Sequence, residues 1–127
     1  MHVTHLADTS ALALLPRADA AARLVSLLVG GGAATCRVID LELVREFPVS
    51  ERAAVAEERR TFPSVPVDDG TVERAIEVQA QLERALPIVP LLVAAAAERA
   101  GLVLLHDDDV FDEIASITGQ PLERAVP

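Results

Sequence analysis

Short, wholly apolar runs that stop at a polar residue and lead at once into helical periodicity most restrict the fold open to this sequence. The clearest case is "VPLLVAAAAERAG" (89–101), then "LVLL" (102–105), then "HDDD" and the helical pattern of "DDVFDEIASITG" (108–119). Four residues with no polar position are too few for a helix and leave no face for water, so they read as a strand buried on both sides. The segment before them is apolar almost all round. It predicts a buried helix, with Pro90 tolerated in the first turn and Gly101 at the end.

The same alternation recurs upstream. "HVTHLA" (2–7) reads as a first strand ending at Asp8, and "DTSALALL" as a short helix that Asp8, Thr9 or Ser10 can cap and Pro16 ends. "ADAAARLVSLLVGGG" has helical spacing and a glycine stop. "AATCRVI" (33–39) is a second strand, and "DLELVREF" (40–47) a helix with Asp40 in capping position and Glu42 in its first turn. "SERAAVAEERR" (50–60) reads as a helix capped by Ser50, with "EERR" a solvated face of ion pairs, and "PSVPV" as an extended edge strand. A long amphipathic helix over 68–86 would set Val72, Ala75, Ile76, Gln79 and Leu82 near one face; "PLERAV" is a last strand. Strands alternating with helices, the clearest of them unbroken apolar runs, predict one α/β domain over residues 1–127 with a parallel sheet covered on both faces.

Composition removes several chemistries. All 11 basic residues are arginine, which excludes Schiff-base lysines, a Walker-type phosphate lysine and the late lysine of receiver domains. With three Phe and no Trp or Tyr, stacking on nucleobases is nearly unavailable. A net charge of −9 counts against simple nucleic-acid binding and suits a basic protein partner or metal ions. Cys36, the single cysteine, reads as a small buried side chain in a reducing compartment. No signal peptide opens the chain, and its longest apolar run, "LPIVPLLVAAAA", is interrupted by two prolines; a soluble, cytoplasmic protein with no membrane role is expected.

In open α/β sheets, function gathers beyond the carboxyl ends of the strands. Asp8 closes the first strand, Glu42 lies one turn into the helix after the second, and Asp108 follows "LVLLH". If those strands are neighbours, the three carboxylates meet in one cleft. They cannot all stay ionised there without a counter-charge, and a hard divalent cation, Mg²⁺ or Mn²⁺, supplies it. That arrangement points to metal-dependent phosphoryl transfer. The plainer reading is that Asp8, Asp40 and Asp107 are helix caps. His5 and His106 are packing or hydrogen-bonding groups, His2 is terminus, and Glu46 and Glu73 have no evident role. Haloacid-dehalogenase-type phosphatases need a second aspartate where Ser10 stands.

The segments "LADTSAL", "CRVIDLELVRE" and "AAAAERAGLVLLHDDDVFDEIASITGQPLERAV", in this order, resemble a PIN domain, and more narrowly the VapC toxins of bacterial toxin–antitoxin pairs. The resemblance implies a three-layer α/β/α sandwich with a mainly parallel central sheet. It also implies a Mg²⁺- or Mn²⁺-dependent endoribonuclease acting on tRNA or rRNA, homodimeric, and silenced by a VapB-like antitoxin. The family's acids fall on Asp8, Glu42 and Asp108, as metal-holding and catalytic residues, with Thr9, Ser10 and Asp109 as auxiliary groups. The family's further aspartate, at the head of the Ala-rich helix, falls on Pro90, and the acid two positions after the late aspartate is Val110. The alternative implied by that departure is a catalytically degenerate PIN domain that works as a protein- or RNA-binding module.

Overall fold

The computed structural model describes residues 2–17 and 19–126. Among them are five strands: β1 (His5–Ala7), β2 (Ala33–Cys36), β3 (Ser64–Val65), β4 (Val103–His106) and β5 (Leu122–Arg124). Seven helices accompany them: α1 (Thr9–Leu12), α2 (Ala22–Val29), α3 (Arg37–Arg45), α4 (Val49–Arg59), α5 (Asp69–Gln81), α6 (Ile88–Ala100) and α7 (Val110–Thr118). The strands lie in the order β3-β2-β1-β4-β5, and each neighbouring pair is parallel. With helices on the sheet's faces this is the expected α/β/α sandwich. The chain runs outward from β1 to β2 and β3, then returns to place β4 on the other side of β1. Strand order therefore switches between β1 and β4, where a crevice forms at their carboxyl ends.

The core explains why "LVLL" and the Ala-rich helix occur together. Leu6 of β1 and Leu104 and Leu105 of β4 are fully buried, and residues 93–97 of α6 are buried without a break. Alanines let that helix lie close to its neighbours with no solvent face of its own at this point. Gly101 ends it at φ +69°, a left-handed conformation glycine adopts without a Cβ penalty, and the chain turns into β4.

Several boundaries differ from the sequence reading. The second strand stops at Cys36, because α3 already starts at Arg37 and takes Val38 and Ile39 into its first turn. Asp40 is thus inside α3 and does not cap it. It is buried, accepting hydrogen bonds from Thr35 Oγ1 (2.8 Å), Arg37 Nη1 (2.7 Å) and Arg59 Nε (3.0 Å). Arg59 is correspondingly buried and departs from the solvated face expected of "EERR", whereas Glu57, Glu58 and Arg60 are exposed, with Arg60 paired to Glu57 at 3.1 Å. Pro48, not Ser50, occupies the N-cap of α4, with no side-chain cap. The helix expected over 68–86 ends at Gln81. Gln79 organises the loop beyond it, its Oε1 accepting from Leu86 N–H (2.9 Å) and its Nε2 donating to the Arg84 carbonyl (3.0 Å). The inward face of α5 is Thr71, Ala75 and Val78, leaving Val72 and Ile76 41% and 56% exposed. Asp109 sits at the N-cap of α7 without a side-chain capping bond, and that bond comes instead from Asp108.

The Asp40 cluster generates a prediction. Removing one partner of a buried ion pair leaves the other charge uncompensated, which typically costs about 3–5 kcal/mol. Asp40→Ala is expected to lower unfolding free energy by that order in urea titration, and a loss under 1 kcal/mol would show that Arg37 and Arg59 do not depend on it.

Candidate active site

Asp8 ends β1 and is the N-cap of α1. Its Oδ2 accepts from the backbone N–H (2.9 Å) and the hydroxyl (2.6 Å) of Ser10, and only 5% of the residue is exposed. Burial pushes the Asp8 carboxyl above the ordinary aspartate value. The Ser10 and Thr9 hydrogen bonds oppose that rise, while the Asp108 charge adds to it. The Asp8 N–H donates to the Leu105 carbonyl (3.0 Å), and Ser10 Oγ accepts from Asp107 N–H (2.9 Å). Both contacts tie the end of β1 to the end of β4.

Glu42 arrives from α3, with Thr9 Oγ1 donating to its Oε1 at 2.8 Å. Asp108 follows β4, its Oδ1 accepting from Val110 N–H (3.0 Å) and its own N–H meeting His106 Nδ1 (3.2 Å). His106 is a packing group as expected, its ring centroid 5.2 Å from that of Phe111. His5 likewise makes hydrogen bonds, to Glu123 (2.9 Å) and the Thr4 hydroxyl (2.7 Å).

The aspartate triplet divides according to its partners. Arg124 of β5 pairs with Asp107 (3.5 Å), Asp109 and Asp112 (2.9 Å). Asp109, expected beside the late acid as an auxiliary group, has its carboxylate on Arg124 and lies outside the cleft wall. Asp108 is the one member of the triplet that lines the cleft.

The cleft encloses about 700 Å³, and Asp8, Glu42, Asp108 and Pro90 all form part of its wall. Three further charged residues line it that the sequence reading passed over: Glu46, Glu58 and Arg59. Glu46 was accessible to reasoning, since it lies four residues after Glu42 on one face of α3. Glu58 and Arg59 reach the cleft only because α4 folds against α3, which no local pattern announces.

The donor set suits a hard cation. Each of the three acids is anchored through one oxygen, Asp8 Oδ2, Glu42 Oε1 and Asp108 Oδ1, and the second oxygen is not so held. Asp8 is desolvated and next to like charge, the condition a divalent ion relieves. Among the described residues no three His, Cys, Asp or Glu side chains are gathered as a ready metal cage.

The PIN domain model matches residues 6–117, and the chain belongs to the PIN-domain family. It is similar to "Ribonuclease VapC18" of Mycobacterium tuberculosis, at 34% identity over 94% of this chain and 93% of that protein. "Ribonuclease VapC51" of the same organism is also 34% identical, over 100% of this chain and 96% of that one. The DNA-bound VapBC structure from Salmonella typhimurium superposes with a TM-score of 0.75 at 17% identity, covering 97% of this chain and 98% of that one, a likeness of fold.

The raised Asp8 value fixes the sign of a stability effect. A carboxyl whose folded pKa lies above its unfolded value favours folding while protonated, and that contribution is lost as pH rises through the folded value. Asp8→Asn is therefore expected to match wild type below the ordinary aspartate value of 3.8 and to exceed it in stability at neutral pH. Urea midpoints at pH 3.5 and pH 7.5 measure this, and a variant less stable than wild type at the higher pH would contradict it.

Proposed function

We propose that the protein is a metal-dependent endoribonuclease toxin of a VapBC-like toxin–antitoxin system, hydrolysing RNA phosphodiester bonds in the cleft at the ends of β1 and β4. The observation that carries this reading is that Asp8, Glu42 and Asp108, from three separate elements, line one cleft in a chain whose relatives are named ribonucleases. Residues 1–127 act as one unit. A VapB-like antitoxin is the expected partner, supported by structural neighbours solved as VapBC complexes. Cytoplasmic location and a homodimer belong to the same proposal; among the described residues no helix is long and apolar enough to cross a membrane.

Asp8 and Asp108 would hold Mg²⁺ or Mn²⁺ directly, with Glu42 acting through water. Such an ion supplies Lewis acidity that draws charge from a phosphodiester and eases deprotonation of water. The chain's own groups set the frame. Thr9 fixes the rotamer of Glu42, Ser10 aims the Asp8 carboxylate, and the apolar wall of Leu12, Leu43 and Phe47 limits water around the acids. The Pro90 side chain offers no ligand atom and no hydrogen-bond acceptor, so the number of carboxylates favours one metal ion over two.

Purified protein is expected to cleave cellular RNA only with Mg²⁺ or Mn²⁺, and Asp8→Asn or Asp108→Asn to lose about 10²-fold or more in rate. Mn²⁺ at about a hundred times its Kd should stabilise wild type by about 2.7 kcal/mol in thermal melts and the two variants by much less. Cleavage that persists in chelator, or in both variants, would remove the mechanism. Absence of cleavage together with tight antitoxin binding would favour the binding-module reading.

Position 90 gives a separate test. If a missing ligand limits the site, Pro90→Asp is expected to tighten Mn²⁺ binding, measured as a larger melt shift, and to raise the cleavage rate. Unchanged values for both would show that an acid at the head of α6 does not reach the ion.

A further inference from the structure

Arg59 is the one basic side chain among the described residues lining the cleft, whose charged wall otherwise holds Asp8, Glu42, Glu46, Glu58 and Asp108. It is not a mobile surface arginine. Only 8% of its side chain is exposed. Nε donates to Asp40 Oδ1 (3.0 Å) and Nη2 to Thr35 Oγ1 (2.9 Å), while the guanidinium carbon sits 4.6 Å from the centroid of the Phe62 ring. Nη1 makes no hydrogen bond to any described residue. No side-chain nitrogen or oxygen among those residues is both sealed from solvent and unpartnered, so Nη1 keeps some solvent exposure in a residue that forms part of the cleft wall.

The surrounding charge does not account for it. Asp40 already has Arg37 (2.7 Å) and Thr35 (2.8 Å), so one carboxylate faces two guanidiniums and the cluster keeps a surplus positive charge. Among the described residues no acid of the cleft comes within ion-pair distance of Arg59. The group is therefore a cation fixed in orientation, with donors still available in a partly desolvated wall. Its rotamer entropy is lost on folding and need not be lost again on binding. A tetrahedral phosphate oxygen is the acceptor that such a fork suits best.

We propose that Arg59 binds a backbone phosphate of the substrate RNA through Nη1 and so positions the strand over the acids. This rests on the ribonuclease reading. It resolves how an acidic cleft in a chain of net charge −9 admits a polyanion.

The test is binding of a labelled, mixed-sequence single-stranded RNA to the full chain carrying Asp8→Asn, without divalent metal, across a range of NaCl concentrations. Adding Arg59→Gln is expected to weaken binding about ten-fold or more at low salt. It should also reduce the slope of log affinity against log salt by about 0.7, one phosphate contact. Arg59→Lys is the second variant, keeping a counter-charge for Asp40. Its ammonium cannot serve Asp40 and a phosphate together, so the same direction of change is expected with the fold retained. In otherwise wild-type protein both substitutions should raise KM more than they lower kcat. Folded variants with unchanged RNA affinity and salt slope would overturn the proposal, as would variants that lose antitoxin affinity while keeping that for RNA. Loss of metal-dependent cleavage by wild-type protein itself would overturn the ribonuclease reading instead, and the binding assay separates the two.

Discussion

The hydroxyl of Ser10 joins the two strands on which the cleft depends. Its proton goes to Asp8 Oδ2 at 2.6 Å, and its oxygen accepts Asp107 N–H at 2.9 Å. Together with Asp8 N–H on the Leu105 carbonyl (3.0 Å), it makes the end of β1 and the beginning of the aspartate triplet one rigid corner. Asp8 is consequently placed by backbone pairing at the end of the central strands, and Asp108 by the short β4–α7 connection that this corner anchors. The unfavourable burial of the Asp8 carboxyl is stability given up for the site, offset by a sheet whose central residues are fully enclosed.

Arginine alone does the work that lysine and arginine usually share. Its planar fork can satisfy several acceptors at once, and two positions use this in opposite ways. Arg124, at the end of β5, collects Asp107, Asp109 and Asp112, which leaves Asp108 the unneutralised member of the triplet. Arg59 is held by two of its nitrogens from behind and keeps the third for the cleft. The surplus negative charge after "LVLL" is thus mostly paired on the far side of α7's entrance, and the acids facing the cleft are those with no arginine on them.

The alternation of buried strands with helices was legible because "LVLL" and the Ala-rich segment each allow one burial pattern. "AATCRVI" was not, because Ile39 is fully buried whether it stands in a strand or in the first turn of a helix, and periodicity over seven residues cannot separate the two. Asp40 and Arg59 were misread for a related reason: an acid near a helix start and an arginine in "EERR" look local, yet they are partners across 19 residues of sequence. The positions of Asp8, Glu42 and Asp108 in one cleft follow from strand order, which the residues only made conditional. Glu58 and Arg59 enter through the packing of α4 on α3, a tertiary fact with no short-range signature.

Pro90 has to be weighed in the same electrostatic terms. It lines the cleft near the head of α6, where an acid would have joined five carboxylates already present. A sixth would add a metal ligand, but it would also raise the like-charge repulsion that, after burial, already pushes the Asp8 carboxyl up. It would further deepen the negative field that an incoming phosphate must cross. Proline removes both effects at once and keeps the helix start intact, since the position needs no backbone donor. On the proposed ribonuclease reading, the cleft therefore trades one point of metal attachment for a lower barrier to a polyanion. In that balance a fixed Arg59 and a missing acid at position 90 act in the same direction.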